Sequence, residues 1–148
     1  MKITLICNCG LALESGGQTL LIDALTQELA PFYRAPERTR QDILAGEGAY
    51  TSVCGLLFTH LHPDHFDREA AEDFSAHHES ALVYIPSRRK PAPELLSIGN
   101  FTVELHRVRH TQVVGHGKST VDAMLVTCEG KRVYIASDTA PEAAIHEG

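Results

Sequence analysis

Residues 59–65 read Thr-His-Leu-His-Pro-Asp-His, and this stretch decides how the rest of the chain is interpreted. It holds four side chains that could bind a divalent cation, and these are His60, His62, Asp64 and His65. Imidazole and carboxylate are ligands that zinc uses in catalytic sites. His60 and His62 point the same way in an extended chain, while Pro63 forces a turn that re-aims the two side chains after it. One loop can therefore serve two adjacent metal positions.

The segments on either side of this loop predict a strand before it and a helix after it. Residues 53–59 are a continuous apolar run of strand length, which is typical of a strand covered on both faces. Residues 67–77 are predicted to form a helix, and residues 81–85 a second buried strand that stops at Pro86. Because a buried strand delivers the cluster, a solvated polar loop that merely contains three histidines is the weaker interpretation.

The N-terminal part predicts an antiparallel meander and then a helix. Residues 2–7 and 18–23 read as strands, with Leu11 to Glu14 between them and Gly16-Gly17 as a tight turn. A helix is predicted from Pro36 to Gly46 or Gly48.

The second half of the chain is predicted to be mostly paired strands. Residues 101–108 alternate between apolar and polar side chains, as in a strand with one buried face. Residues 123–127 and 132–136 flank a turn at Glu129-Gly130.

Length and composition are those of one globular domain over residues 1–148, with 43% hydrophobic and 22% charged residues. A formal charge of −6 argues against a nucleic-acid partner that is held by phosphate neutralisation. The apolar run at the N-terminus is too short for an export signal or a membrane span, so we expect a cytoplasmic protein with no membrane partner.

Four cysteines lie in or beside apolar runs, and we expect buried thiols in a reducing cytosol. They are Cys7, Cys9, Cys54 and Cys128. The spacing of Cys7 and Cys9 would place both side chains on one face of an extended strand, and metal binding by this pair is an alternative to simple burial.

The pattern H-x-H-x-D-H in residues 60–65 resembles the signature of the metallo-β-lactamase superfamily. Further along, His116-Gly-Lys-Ser-Thr-Val-Asp122-Ala and the later Val-Tyr-Ile-Ala-Ser-Asp138-Thr139 are similar to the third and fourth motifs of its lactonase-like branch. The resemblance covers essentially the whole chain. It implies an α+β fold, the metallo-β-lactamase-type αββα sandwich, of which this chain would be the N-terminal portion with the second half incomplete.

The resemblance also implies a set of metal ligands. His60, His62 and His116 would hold the first metal, Asp64 and His65 would help to hold the second, and Asp138 would bridge the two through its two carboxylate oxygens. His110 is the alternative to His116, which we favour because its distance to Asp122-Ala123 matches the branch pattern.

Two departures from the family pattern concern the C-terminal part. Ser137 replaces the glycine that usually precedes the bridging Asp138. The chain stops ten residues after Asp138, before the position of the family's last metal-binding histidine, so we expect a C-terminal truncation and a second metal position that is short of one ligand.

By this resemblance the chain is a zinc-dependent hydrolase that holds one or two Zn²⁺ ions, with Mn²⁺ or Fe²⁺ as alternatives. A metal-bound hydroxide would cleave a small ester, lactone or phosphoester, with Asp64 and His62 as catalytic residues. Asp64 would orient the nucleophile by accepting its proton. The alternative is a truncated, non-catalytic metal-binding module of the same fold, and a structural zinc protein with closed coordination is a third interpretation. A small-molecule substrate is the expected partner, and a homo-oligomer stays open.

Overall fold

The computed structural model describes residues 1–87, 91–111 and 119–140, which form two β-sheets and a helical layer. The first sheet contains, in spatial order, β1 (Lys2–Leu5), β2 (Leu11–Ser15), β3 (Gln18–Ile22), β4 (Val53–Leu57) and β5 (Leu82–Tyr84). Strands β1 to β3 are an antiparallel meander, whereas β3, β4 and β5 run parallel to one another. The second sheet is antiparallel and contains β6 (Leu95–Ile98), β7 (Phe101–Arg109), β8 (Thr120–Cys128) and β9 (Lys131–Ile135).

The helical layer contains α1 (Glu37–Ala45), α2 (Arg68–His77) and a short 3₁₀ turn at Gly48–Tyr50. Helix α1 stops at Gly46, whose φ of 65° is the left-handed conformation that glycine adopts freely. Helix α2 is capped by Asp67, whose carboxylate accepts a hydrogen bond from the Ala70 N–H. Among the described residues, no helix has both the length and the apolar character that crossing a membrane requires.

Two apolar cores separate three layers. The first core lies between the helices and the first sheet, and Ile43, Phe74 and Leu56 are members of it. The second lies between the two sheets, where Leu57 of β4 meets Phe101 and other side chains of the second sheet. Neighbouring residues of β4 thus enter opposite cores, which confirms the prediction of a strand covered on both faces.

The structure confirms the predicted meander, both helices and the strand, loop, helix, strand unit around the His/Asp cluster. Strand β1 is shorter than predicted, however, since it ends at Leu5. Cys7 and Cys9 lie in a bend, so the expectation that they share one face of an extended strand is wrong. The cause is a tight loop in which the Ile6 N–H donates to the Gly10 carbonyl over 2.7 Å. Strand β6 was not predicted.

We expect Leu57→Ala to lower the free energy of unfolding by about 2–5 kcal/mol, because it leaves a cavity between the sheets. Leu57 is fully buried, whereas Leu5 on the edge strand is 68% exposed. Leu5→Ala is therefore the matched control, with an expected change within about 0.5 kcal/mol. Urea denaturation of both variants checks this, and equal losses would contradict the layer assignment.

Candidate metal centre

The candidate centre lies where two parallel strands end side by side. Asp23 immediately follows β3, and Thr59 lies two residues after the end of β4. The fully buried Asp23 carboxylate accepts hydrogen bonds from the Thr59 backbone N–H at 2.8 Å and from the Thr59 hydroxyl at 2.7 Å. These bonds fix the start of the ligand loop, which continues directly into His60.

His60 and His62 present one nitrogen each to a common point. His60 Nε2 and His62 Nδ1 are 3.2 Å apart. Two nitrogens bound to one tetrahedral zinc ion would be about 3.3 Å apart, given zinc–nitrogen distances near 2.05 Å. The separation of these two atoms therefore fits a shared cation.

The tautomer of His60 follows from its neighbour Thr59. The single hydroxyl proton of Thr59 goes to Asp23, so His60 Nδ1, 3.1 Å from Thr59 Oγ1, must be the donor. His60 Nε2 is then left with its lone pair toward the cluster. Burial, together with the charges of His65 and His62, lowers the pKa of His60 to about 3, which keeps this imidazole neutral and able to bind a cation.

His110 supplies a third imidazole from the end of β7. Its Nδ1 donates to the Thr111 carbonyl oxygen, which leaves a lone pair on Nε2. That Nε2 is buried and has no hydrogen-bond partner among the described residues, although it lies 3.4 Å from Asp138 Oδ2. An unsatisfied buried acceptor is costly, and a cation held between this nitrogen and the carboxylate would remove the cost.

Asp138 lies between the two halves of the cluster. The Thr111 N–H donates to the Asp138 carbonyl over 2.7 Å, which places the segment after β9 beside His110. Asp138 Oδ2 is 3.9 Å from His60 Nε2 and 3.4 Å from His110 Nε2, whereas Oδ1 is 3.5 Å from His65 Nε2. Each carboxylate oxygen thus faces a different group of imidazoles, as a bridging ligand requires.

His65 and Asp64 line a second candidate position for a cation. His65 Nδ1 is 2.8 Å from Asp23 Oδ2, and His65 Nε2 is 3.7 Å from Asp64 Oδ2. Burial by itself would lower the pKa of His65, but Asp138 and Asp23 outweigh burial and raise this pKa to about 10. The ion pair with His65, against an opposing effect of burial, lowers the pKa of Asp138.

Most of the predicted ligands come together. One group contains His60, His62, His110 and Asp138, a second contains Asp64, His65 and Asp138, and within each group the ligand atoms lie within 4.8 Å of one another. The alternative histidine, His110, is thus in the cluster. The favoured one, His116, lies outside the described residues, so its assignment stays a prediction.

Two residues near the centre were not among the predicted ligands. Asp23 holds Thr59 and His65, and Cys9 lies within 4.8 Å of both Asp23 and His65. The available signal for Asp23 was its place at the carboxyl end of an apolar strand, since ligand sites in parallel sheets gather at that edge.

Ser137, which stands at the family's glycine position, has a left-handed backbone with φ of 54°. L-residues adopt this region at a cost of about 1–3 kcal/mol, whereas glycine does not. The Ser137 hydroxyl donates to Thr59 Oγ1 over 2.8 Å, because the Thr59 proton is already committed to Asp23. Serine therefore compensates part of the backbone cost with a hydrogen bond that glycine could not form.

An ion-pair network ties the two sheets together beside the ligand loop. Arg107 of β7 makes two hydrogen bonds with the Asp122 carboxylate of β8, at 2.7 and 2.9 Å, and Tyr84 of β5 donates to the same carboxylate at 2.6 Å. The Asp122 N–H donates to the Thr59 carbonyl at 2.8 Å. Burial, followed by the Asp122 charge, raises the pKa of Tyr84 and keeps this phenol a donor. A cavity of ≈ 30 Å³ opens between this network and His62.

Comparison of the sequence with protein-family models and with curated proteins gives no match. By structure the chain is similar to isothiocyanate hydrolase from Delia radicum gut bacteria, with a TM-score of 0.64 and 22% identity, over 95% of this chain and 64% of that one. A possible metal-dependent hydrolase from Veillonella parvula gives a TM-score of 0.70 and 17% identity, over 97% and 64%. The metallo-β-lactamase fold protein YhfI from Bacillus subtilis gives a TM-score of 0.61 and 16% identity, over 91% and 56%.

These likenesses show the fold. The chain has the metallo-β-lactamase fold, as predicted, and the described residues supply one helical layer and both sheets of the αββα sandwich. The chain spans less than two thirds of the length of these similar structures.

We expect Asp23→Asn to weaken Zn²⁺ binding about 10–100-fold, because the amide cannot accept from all the donors around Asp23 and no longer fixes His65 Nδ1 as a donor. Asp73→Asn, at an exposed position of α2, is the matched control. Competition of each purified protein with a chelator of known affinity measures the effect. Unchanged Zn²⁺ affinity in a folded Asp23→Asn protein would show that Asp23 does not position the centre.

We expect Ser137→Gly to be more stable than Ser137→Ala by about 1 kcal/mol, since both lose the hydroxyl but only glycine relieves the left-handed backbone. At Ser97, in the exposed part of β6, the order should reverse, with alanine more stable than glycine by about 0.5–1 kcal/mol. Thermal denaturation of the four variants tests this, and the same order at both sites would contradict the backbone explanation.

Proposed function

We propose that this chain is a metal-dependent hydrolase that acts on a small ester, lactone or phosphoester. The observation that carries the proposal is the convergence of His60 Nε2, His62 Nδ1 and His110 Nε2 on the Asp138 carboxylate. In the proposed site His60, His62 and His110 hold the first cation, and Asp64 and His65 contribute to a second.

The ligand set favours a zinc-class cation, with Mn²⁺ or Fe²⁺ as alternatives. Imidazoles and carboxylates bind all of these ions. The 3.2 Å between His60 Nε2 and His62 Nδ1 fits best the tetrahedral geometry that zinc prefers. When bound, such a cation supplies Lewis acidity and makes a coordinated water acidic near neutral pH. The lone pairs on His60 Nε2 and His110 Nε2 are already directed at this position, so little reorganisation is needed for binding.

Asp64, Asp138 and Asp23 would each have a separate role in the reaction. The half-buried Asp64 carboxylate can accept a proton at Oδ2 and so orient the attacking water. The backbone carbonyl oxygen of Asp64 accepts a hydrogen bond from the Cys9 thiol, which helps to hold this residue in place. Asp138 Oδ2 faces the first proposed cation position and Oδ1 faces the second, so this carboxylate would fix the distance between the two cations. Asp23 is a positioning residue, since it acts on the centre through Thr59 and His65.

An open side of the cluster supports catalysis over a structural role. The Asp138 side chain is 40% exposed, and His60 and His62 line a small cavity. Catalytic zinc sites keep a position for water or substrate, whereas structural sites are closed by four protein ligands. This arrangement therefore favours an enzyme over a structural zinc protein.

The similar structures guide the choice of substrates. They carry names such as isothiocyanate hydrolase and metal-dependent hydrolase, which is consistent with hydrolysis but selects no substrate for this chain, because one fold hosts many activities. We therefore choose a panel of p-nitrophenyl acetate, a γ-lactone, bis(p-nitrophenyl) phosphate and benzyl isothiocyanate.

The proposal predicts hydrolysis that depends on bound metal. The full chain should contain a zinc-class ion by elemental analysis and hydrolyse at least one member of the panel. EDTA should abolish the turnover, and added Zn²⁺, Mn²⁺ or Fe²⁺ should restore it. Bound metal without turnover on any substrate would instead support a non-catalytic metal-binding module.

We expect His62→Ala to abolish metal-dependent turnover, a loss of at least about 100-fold, while the far-ultraviolet circular dichroism stays unchanged. The fold should survive because His62 lies in a loop beyond the end of β4 and outside both apolar cores. His106→Ala, at an exposed position of β7, is the matched control and should keep full activity. Retained turnover in His62→Ala would overturn the assignment.

A further inference from the structure

A thiol lies behind the candidate centre, on the side of His65 that faces away from it. The Cys9 sulfur, the Asp23 carboxylate and a ring nitrogen of His65 lie within 4.8 Å of one another, and all three groups are buried or half-buried. The His65 nitrogen on this side is Nδ1, which is 2.8 Å from Asp23 Oδ2. Asp64 and Asp138 instead face His65 Nε2, on the opposite edge of the ring.

A second thiol adjoins this group. Cys7 and Cys9 lie two residues apart in the same bend between β1 and β2. The Cys7 sulfur is 3.6 Å from the Asp23 carbonyl oxygen, and the Cys9 sulfur is 3.0 Å from the Asp64 carbonyl oxygen. Gly10 permits this packing, because a Cβ there would be 2.8 Å from the Asp23 carbonyl oxygen and would overlap the Cys7 sulfur.

We propose that Cys9, Asp23 and His65 Nδ1, with Cys7 as fourth ligand, form a separate site for a thiophilic divalent cation of the zinc or cadmium class. Two thiolates, an imidazole and a carboxylate are a donor set that such ions bind in tetrahedral geometry. Binding would release the two thiol protons to solvent, shift the single ring proton of His65 from Nδ1 to Nε2, and form bonds from the cation to both sulfurs. No electron transfer is involved.

The thiol site and the candidate hydrolytic centre both use His65. Cation binding at one site should therefore weaken cation binding at the other. A neutral imidazole carries one proton and one lone pair. When Nδ1–H donates to Asp23, the lone pair is on Nε2 and serves the second position of the hydrolytic centre. A cation on Nδ1 would move the proton to Nε2, so filling the thiol site should weaken cation binding by Asp64, His65 and Asp138.

Cobalt titration tests the proposal, because Co²⁺ bound to thiolate gives an intense near-ultraviolet charge-transfer band that nitrogen and oxygen ligands do not give. Metal-free, reduced full chain should develop this band with added Co²⁺. Cys9→Ser should lose it, and Cys7→Ser should weaken the binding about 10–100-fold. Cys54→Ser, which alters a thiol outside the cluster, should keep the band unchanged.

The two sites can be told apart with variants. His62→Ala removes a ligand of the hydrolytic centre alone and should keep the band, whereas His65→Ala should lose it. A wild-type chain that shows the band but hydrolyses no substrate of the panel would count against the proposed enzyme and leave the thiol site intact. Absence of the band in the wild type at saturating Co²⁺, or its retention in Cys9→Ser, would refute the thiol site.

A measurement on the wild-type chain guards against variants that do not fold. Saturating Cd²⁺ should protect Cys7 and Cys9 from alkylation by iodoacetamide, with the modified peptides identified by mass spectrometry. The modification of Cys54 should be unaffected by Cd²⁺. Equal labelling of Cys9 with and without Cd²⁺ would contradict the proposal.

Discussion

The buried carboxylate of Asp23 is the constraint on which the site depends. It accepts from the backbone and the hydroxyl of Thr59 and from His65, and all of these groups lie at the carboxyl ends of two parallel strands. A buried carboxylate without these donors would be strongly unfavourable, so the carboxylate and its donors hold one another in place. Through Thr59 it also sets the tautomer of His60, and in this way one side chain orients residues of both candidate metal positions.

The sequence predicted those residues of the site that are close to one another along the chain, but not a residue that is far from them. His60, His62, Asp64 and His65 could be predicted as candidate ligands because they are neighbours in one loop after an apolar strand. Asp23 lies 36 residues before Thr59, and only the parallel pairing of β3 with β4 brings the two together. No local pattern encodes that pairing, so Asp23 was missed.

The same reasoning explains the other differences between the predicted and the observed chain. Spacing favoured His116 over His110, but the place of His110 in the cluster depends on how the segment around Asp138 packs on β7, which spacing along the chain does not encode. Strand β6 is short and follows two prolines, so its pairing with β7 had no clear local signal. The bend at Cys7 depends on Gly10 meeting Asp23, which is again a contact between distant segments.

The close packing of the imidazoles has a consequence for the stability of the folded chain. The ring centroids of His60 lie 4.6, 4.0 and 5.0 Å from those of His62, His65 and His110, an arrangement that only the folded chain possesses. A cation that binds the native chain and not the denatured one stabilises the former by about 2.7 kcal/mol when its free concentration is a hundred times its dissociation constant. Such an increment is a large fraction of the margin that keeps most domains native. Steady-state abundance and resistance to proteases should therefore follow the supply of a cation that this cluster binds.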